Sequence, residues 1–247
     1  MIETTRIYLP KLVKAVAKFS HPYFIARSSL ISIISSYAPT VTGSLLDVGC
    51  GSRPYRELFS NCRCYNGLEL LDRISEFQGE NMFFFDGKSF PFPPASFSAV
   101  LCSQVLEHSE FPDTTLSEIQ RVLQQGGLLL LSIPFIWPEH EQPHDFQRFT
   151  SYGLLNHVRS AGFDVLELRK SCIGFSALLQ ILIEYHESLI RRVVPVGFHP
   201  FYRSLFRPIY LILNLFSMSL TMLQGGINHA FSTQELYLDL FIVAIKK

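Results

Sequence analysis

Short apolar segments recur along the chain, separated by polar turns and by longer stretches with helical spacing of apolar residues. The apolar segments predict strands at 45–48, 64–69, 83–86, 98–103, 128–133, 163–168 and 236–245. A helix is predicted from about residue 112 to residue 123, closed by Gly126-Gly127. Strands and helices that alternate throughout predict an α/β fold, with a parallel sheet and helices on both faces. Such sheets bind ligands beyond the carboxyl ends of their strands.

The first predicted strand runs into two closely spaced glycines, Gly49 and Gly51. They let the backbone turn sharply and approach a bound molecule. Asp47 lies at the end of the strand, where its carboxylate is expected to hold the turn's amides or, directly or through water, a ligand ammonium group. Pro54 suits the first turn of a following helix. A plain tight turn would need the same two glycines.

A second carboxylate supports a ligand site. Glu69 ends the second predicted strand, 22 positions after Asp47. Rossmann-like sheets place a carboxylate on a ribose diol at roughly 20 residues' spacing. The dinucleotide fingerprint needs a third glycine where this chain has Pro54. The pattern therefore favours a nucleoside ligand without phosphates over NAD.

Several motifs together resemble the class I S-adenosylmethionine-dependent methyltransferases of the small-molecule type. The resemblance covers about residues 43–163 and the last predicted strand. It is carried by Leu46-Asp47-Val48-Gly49-Cys50-Gly51, Phe90-Pro91-Phe92 with Ser96-Phe97, Val105-Leu106-Glu107-His108, and Glu118-Ile119-Gln120-Arg121-Val122-Leu123 before Gly126-Gly127. The chain departs from the family at Arg53, where the family often has a third glycine.

The resemblance implies a Rossmann-like, mostly parallel seven-stranded sheet of order 3-2-1-4-5-7-6 and S-adenosyl-L-methionine as the cofactor. It implies that Asp47, Gly49 and Gly51 line the methionine end of the cofactor and that Glu69 binds the ribose hydroxyls. It further implies that Asp86 receives the adenine amino group and that Ser103 and Gln104 flank the methionine moiety. Asp86 before Gly87 is equally typical of a turn, and Ser103 of a cap.

The segment after the fifth predicted strand, residues 134–150, concentrates polar chemistry. It holds two histidines, three carboxylates, an arginine and the only tryptophan of the chain. The stretch containing His140, Pro143-His144-Asp145 and Arg148-Phe149-Thr150 resembles a run in methyltransferases of bacterial surface-polysaccharide gene clusters. We call residues 135–150 the histidine loop.

Methyl transfer to a hydroxyl group needs a base, and histidine can serve near neutral pH. The candidates are His144 oriented by Asp145, or His140 oriented by a carboxylate brought close by folding. Arg148 is expected to bind an anionic group of the acceptor through its planar fork, and Trp137 to contact the acceptor. Structural roles for these loop residues are the alternative. No metal is expected, because Pro143 prevents the helical geometry that a His140-x-x-x-His144 pair requires.

Composition narrows the class of protein. The 247 residues carry a formal net charge of zero and show no basic run, so no nucleic-acid partner is expected. Five scattered cysteines indicate reduced thiols rather than a disulfide framework. The first apolar stretch is interrupted by lysines and lacks a cleavage site. A cytoplasmic protein is therefore expected, with residues 1–42 forming a helical segment split near His21-Pro22.

Residues 172–234 form an apolar insertion within the predicted methyltransferase domain, which comprises 43–171 and 235–247. Its two apolar stretches are shorter than the roughly 20 residues that span a bilayer. From Ser188 to Gln234 the chain has no acidic residue but does contain arginines, at 191, 192, 203 and 207. This pattern is typical of a peripheral membrane contact, and equally of a helical lid or a homodimer surface.

The sequence thus predicts a methyltransferase that modifies a small acceptor, most directly a sugar hydroxyl in surface-glycan biosynthesis. A lipid or quinone methyltransferase at the membrane surface is an alternative, suggested by the apolar insertion. A cofactor-binding scaffold without catalysis is another, although such a protein has no need of the histidine loop. The sequence leaves open the acceptor, the methylated atom, the oligomeric state and the choice between His140 and His144.

Overall fold

The computed structural model of the chain describes residues 17–226 and 235–247. Seven strands form one sheet in the order β3-β2-β1-β4-β5-β7-β6, which confirms the predicted fold and strand order. The strands are β1 (Ser44–Val48), β2 (Cys64–Leu70), β3 (Met82–Phe85), β4 (Phe97–Ser103), β5 (Leu123–Pro134), β6 (Phe163–Ile173) and β7 (Tyr237–Lys246). The pairs among β1 to β5 are parallel, and β7 runs antiparallel to β5.

Five α-helices of ten residues or more accompany the sheet in the part of the chain that the structure describes. They are α1 (Phe24–Tyr37), α2 (Pro112–Val122), α3 (Ser151–Ser160), α4 (Phe175–Val193) and α5 (His199–Gly226). Helix α2 buries one stripe of apolar side chains with helical spacing, namely Leu116, Ile119 and Val122. Helix α3 begins where the Thr150 hydroxyl accepts the Gly153 amide at 3.1 Å, an ordinary N-cap.

The expected alternation of strand and helix is wrong for the first half of the sheet. Only 3-10 turns connect β1 to β2 (Arg56–Phe59) and β2 to β3 (Leu71–Arg73), and no helix connects β3 to β4. Prolines such as Pro91 and Pro93 break a helix there because they lack an amide donor. Gly126 and Gly127, expected to end the preceding helix, lie within β5 instead.

The sheet core explains the uninterrupted apolar runs in the sequence. Residues of β4 and β5 such as Val100, Leu101 and Leu130 have no solvent exposure, as expected for parallel strands covered on both faces. Strand β1 pairs with β2 on one side and with β4 on the other. The connection order therefore reverses between β1 and β4, and open α/β sheets bind ligands at the carboxyl ends of such strands.

The chain divides into two compact units. One contains Ile31–Ser171 and Leu238–Lys247, and the other contains Cys172–Tyr237 with the described residues up to Leu30. We call the first the sheet unit and the second the helical unit. Residues 1–16 of the predicted N-terminal segment and 227–234 of the predicted insertion lie outside the described residues.

The helical unit contains ion pairs that the sequence pattern does not reveal. Arg191 contacts Glu184 at 2.5 Å and Arg203 contacts Glu187 at 3.0 Å. Glu187 is fully buried and also accepts the Tyr210 hydroxyl. Two of the four arginines expected to face anionic lipid are therefore paired with acids of α4. Among the residues described, none of the helices has the length and apolar character required to traverse a bilayer.

Candidate active site

The turn after β1 adopts a backbone that favours glycine. Gly49 and Gly51 have φ values of 64° and 48°, in the left-handed region where a Cβ is strained. A Cβ on Gly49 would lie 2.4 Å from the Val105 side chain, whereas one on Gly51 would meet only the Phe77 ring at 3.9 Å. Arg53, where the family often has glycine, also has a positive φ of 59°, and its guanidinium donates to the Glu80 carbonyl at 2.8 Å.

Glu69 fastens this turn to the end of β2. One carboxylate oxygen accepts the amide of Gly51 at 3.0 Å, and the other accepts the amide of Leu70 at 3.0 Å. The side chain is buried but lies on the wall of a cavity. The spacing that predicted a carboxylate beside the glycine turn thus corresponds to a direct contact.

Asp47 lies beneath the turn in a nearly solvent-free environment. Its carboxylate accepts a hydrogen bond from the Tyr65 hydroxyl. Burial raises the pKa of Asp47 to about 7; the Tyr65 hydrogen bond lowers it, and the negative charge of Glu69 raises it further. The free protein therefore holds a carboxyl that a neighbouring cation would ionise.

The remaining predicted cofactor residues lie at the ends of β3 and β4. Asp86 accepts the amides of Lys88 and Ser89 at 2.9 and 3.0 Å, the turn geometry that was the alternative interpretation, and it also borders the cavity. These amides lower the pKa of Asp86. Ser103 and Gln104 both contact the Ser132 hydroxyl on neighbouring β5, at 2.8 and 3.2 Å.

A cavity of about 410 Å³ lies between part of this set and the histidine loop. Asp47, Gly51 and Ser103 do not line it. Apolar side chains and carboxylates share its wall, which suits a nucleoside ligand with a charged tail. The wall residues from the side of the glycine turn include Gly49, Glu69, Phe85, Asp86 and Gln104. Those from the opposite side include His108, Glu141, His144 and Phe146.

The Asp145 carboxylate binds two other residues of the histidine loop, Arg148 and His140. Arg148 binds its carboxylate through both Nη atoms, at 2.5 and 2.7 Å. The His140 amide donates to the same carboxylate at 3.0 Å, and His140 Nδ1 lies 3.2 Å from Asp145 Oδ2. The bond with Arg148 lowers the pKa of Asp145 to about 2, so this residue is a permanent anion. Folding pairs Asp145 with His140, not with its neighbour His144.

Arg148 and Trp137 are tied into the same loop. Besides Asp145, Arg148 contacts the carbonyl oxygen of Trp137 at 3.4 Å. The planar fork expected to bind an acceptor anion is thus engaged by Asp145, and binding such an anion would require it to leave that carboxylate. Trp137 is partly exposed and does not line the cavity of 410 Å³.

Two residues to which the sequence analysis gave no role also belong to the site, Glu107 and His108. The His108 ring lines the cavity, and its Nδ1 atom lies 2.7 Å from the carbonyl oxygen of His144. Burial lowers the pKa of His108. Burial also raises the pKa of Glu107 to about 8. The signal that could have found them is a pair of titratable residues directly after the carboxyl end of a buried strand.

Comparison with known proteins identifies the kind of domain to which residues 46–131 belong. Residues 46–131, which include the glycine turn, Glu69, Asp86 and β4, match a family model described as a methyltransferase domain. The chain carries a methyltransferase domain. The match confirms the predicted enzyme class and lies within the sheet unit.

The individual proteins that this chain resembles share low sequence identity with it. An uncharacterized protein of Methanocaldococcus jannaschii is 27% identical over 155 residues, covering 61% of this chain and 72% of that protein. The cyclase SpnF superposes with a TM-score of 0.58 at 19% identity, covering 88% of this chain and 80% of SpnF. Phosphoethanolamine N-methyltransferase 2 of Haemonchus contortus, solved with phosphomonomethylethanolamine and S-adenosylhomocysteine, gives 0.54 at 17% identity, covering 94% of this chain and 57% of that chain. At 17–19% identity, the two superpositions show a shared fold alone.

Proposed function

We propose that this protein transfers the methyl group of S-adenosylmethionine to a hydroxyl group of a small acceptor, with a sugar of a surface glycan as the best candidate. The observation that carries the proposal is the cavity that joins the glycine turn to the histidine loop. A methyl donor at one end and a proton acceptor at the other are the two requirements of this reaction. The sulfonium group of the cofactor supplies the reactive methyl.

The residues present fit the cofactor. Gly49 presents only backbone to the cavity, and the Asp47 carboxylate complements an ammonium group. Glu69 is proposed for the ribose hydroxyls, Asp86 for the adenine amino group, and Gly51, Ser103 and Gln104 for the methionine end. A structural relative of this fold was solved with S-adenosylmethionine, which supports the same donor here.

For the proton acceptor we propose the histidines of the loop. His144 is exposed on the cavity wall, where a hydroxyl of the acceptor can reach its ring. His140 is held by Asp145, which acts as a positioning residue. Trp137 and Arg148 do not line the cavity, and they are proposed to border a part of the acceptor that extends beyond it. Once the hydroxyl proton has moved to histidine, the oxygen attacks the methyl carbon and the carbon–sulfur bond breaks.

The experiment compares His144→Ala and His140→Ala with the wild type, by transfer of labelled methyl groups to a panel of sugar acceptors. Loss of the base should reduce turnover by roughly 10²-fold, with unchanged affinity for S-adenosylhomocysteine. His157→Ala is the matched control. Like His140, His157 pairs with a carboxylate, that of Asp113, but His157 lies on α3 and does not line the cavity. Wild-type rates in both loop variants at every pH would contradict a histidine base.

A second candidate acceptor is a lipid or a lipid-linked glycan, and one observation favours it. Helix α4 exposes an apolar stripe with spacings of three and four residues, and α5 exposes another. The stripes comprise Phe175, Leu178, Leu182, Tyr185 and Leu189 on α4, and Phe201, Leu205, Ile209, Ile212 and Phe216 on α5. Exposed apolar surfaces of many residues mark interaction sites, and an amphipathic helix can lie in a membrane interface.

Cosedimentation with liposomes tests this candidate. Leu182→Asn with Ile212→Asn should reduce pelleting, whereas Leu166→Asn should not, because Leu166 is similarly exposed but lies on β6. Arg192→Gln with Arg207→Gln should reduce pelleting only on anionic liposomes, since each basic residue contributes on the order of 1 kcal/mol there. Equal pelleting in every case would contradict membrane contact, and a dimer in sedimentation velocity would then favour a subunit interface.

A further inference from the structure

Three metal-ligating side chains converge beside the cavity, from two segments of the sheet unit. Glu107 and His108 follow β4, and His140 comes from the histidine loop. One ligand atom from each lies within 4.8 Å of the other two. The loop is brought here by hydrogen bonds to the β4 end, where the Phe146 amide donates to the Glu107 carbonyl at 2.8 Å.

His108 has its ring oriented for ligation. Its Nδ1 atom contacts the carbonyl oxygen of His144 at 2.7 Å. A carbonyl can only accept, so Nδ1 carries the proton and Nε2 presents a lone pair. Nε2 lies 3.8 Å from Glu107 Oε1, which is too long for a hydrogen bond between them but compatible with two ligands of one ion.

His140 shows the same arrangement. Its Nδ1 atom lies 3.2 Å from the Pro138 carbonyl oxygen and 3.2 Å from Asp145 Oδ2. Both partners are acceptors, so Nε2 again presents the lone pair. A carboxylate that holds the far nitrogen of a ligating histidine is the common outer shell of metal sites. Arg148, which fixes Asp145, secures this shell.

Glu107 supplies the decisive observation. Its side chain is completely buried, and neither carboxylate oxygen has a hydrogen-bond partner in the part of the chain that the structure describes. A buried carboxyl group without a hydrogen-bond partner is costly, and it is more costly still when it is ionised and neither paired nor bound to a metal. Its nearest histidine, His108, offers it a lone pair rather than a proton, so a cation satisfies both groups.

We propose that Glu107, His108 and His140 bind a divalent transition-metal cation at the acceptor end of the cavity. Two imidazoles and one carboxylate with open positions are a ligand set that such ions accept. Bonds of about 2.0–2.2 Å keep any two ligands of one ion within about 4.4 Å of each other, so the site has to contract by roughly half an ångström. Rotation of His140, on a loop, can supply that contraction. The expectation of no metal rested on the His140–His144 pair, which this set does not use.

The cation gives the acceptor hydroxyl a place to bind. This role rests on the proposed methyl transfer. A hydroxyl oxygen on the ion is more acidic, so its proton passes to His144 or to water. His140 is then a ligand of the ion, and His144 is the one histidine of the loop that serves as the base. The oxygen then forms the bond to the methyl carbon as the carbon–sulfur bond breaks, and the sulfonium becomes a neutral thioether. No oxidant or reductant is needed.

Equilibrium dialysis of the full chain against Zn²⁺, with metal analysis, tests the site. We expect one Zn²⁺ per chain in the wild type and in the controls His144→Ala and His157→Ala. Affinity should fall at least tenfold in Glu107→Gln and in His140→Ala. All variants keep the five cysteines, so differences among them report this site. Circular dichroism establishes folding, and His140→Ala changes only a partly exposed loop residue if Glu107→Gln does not fold.

Two outcomes separate this inference from the proposed function. Equal Zn²⁺ affinity in the wild type, Glu107→Gln and His140→Ala would overturn the metal site, even if methyl transfer is observed. Methyl transfer that is unchanged by a chelator would overturn its role in the reaction. Retained Zn²⁺ without binding of S-adenosylhomocysteine would support the site and contradict the methyltransferase.

Discussion

At the residue scale, the glycine turn shows what a single sequence can disclose. The positions of Gly49, Gly51 and Glu69 follow from the strand ends, which are readable because buried strands have continuous apolar runs. The contact of Glu69 with the Gly51 amide follows from neighbouring parallel strands. The sequence did not predict whether Asp145 pairs with His140 or with His144, because that pairing depends on how an irregular loop folds back.

Asp47 predicts a pH dependence of cofactor binding. With a pKa of about 7 in the free protein, the carboxyl is mostly protonated at pH 6 and mostly ionised at pH 8. A ligand ammonium group binds the ionised form, so affinity for S-adenosylhomocysteine should fall about tenfold from pH 8 to pH 6. Titration calorimetry at both pH values measures this.

Asp47→Asn is the control for that dependence. The amide cannot ionise, so the variant should bind weakly and with little change over the same range. A wild-type affinity that is equal at pH 6 and pH 8 would contradict the proposed contact with the ammonium group.

At the element scale, a polar clamp explains one motif of the sequence. Glu118 and Arg121 on α2 bind each other, the Arg121 guanidinium donates to the Phe92 and Phe90 carbonyls at 2.8 and 3.1 Å, and Glu118 accepts the Phe90 amide. The clamp thus holds the proline-rich connection between β3 and β4. The sequence showed the motif but not its partners, which lie about 30 residues away.

The clamp predicts a stability effect. Arg121→Lys removes the planar fork and leaves carbonyl groups without their donor, so unfolding free energy should fall by about 1–2 kcal/mol. We expect a decrease near the low end of this range, because the Arg121 side chain is about one-third exposed. Urea denaturation measures it against Arg159→Lys, an exposed position on α3. Equal stability of the two variants would exclude a structural role for the fork.

At the scale of the whole molecule, the sequence predicted the sheet unit better than the helical unit. Strand order and the cofactor end of the site follow from motifs that are local in sequence. The meeting of Glu107 and His108 with His140, and the pairing of Arg191 and Arg203 with acids of α4, join segments far apart in the chain. Local patterns carry no information on such contacts. The number of arginines in the sequence therefore overestimated the number that are free to contact anionic lipid.

The whole proposal depends on the binding of S-adenosylmethionine at the glycine turn. Titration calorimetry with S-adenosylhomocysteine tests it most directly, with NAD as the competing ligand and Gly49→Ala as the variant, because an added Cβ meets Val105 there. We expect one S-adenosylhomocysteine per wild-type chain, no heat from NAD, and affinity reduced at least tenfold in folded Gly49→Ala. Absence of binding to the wild type, or equal affinity in the variant, would contradict it.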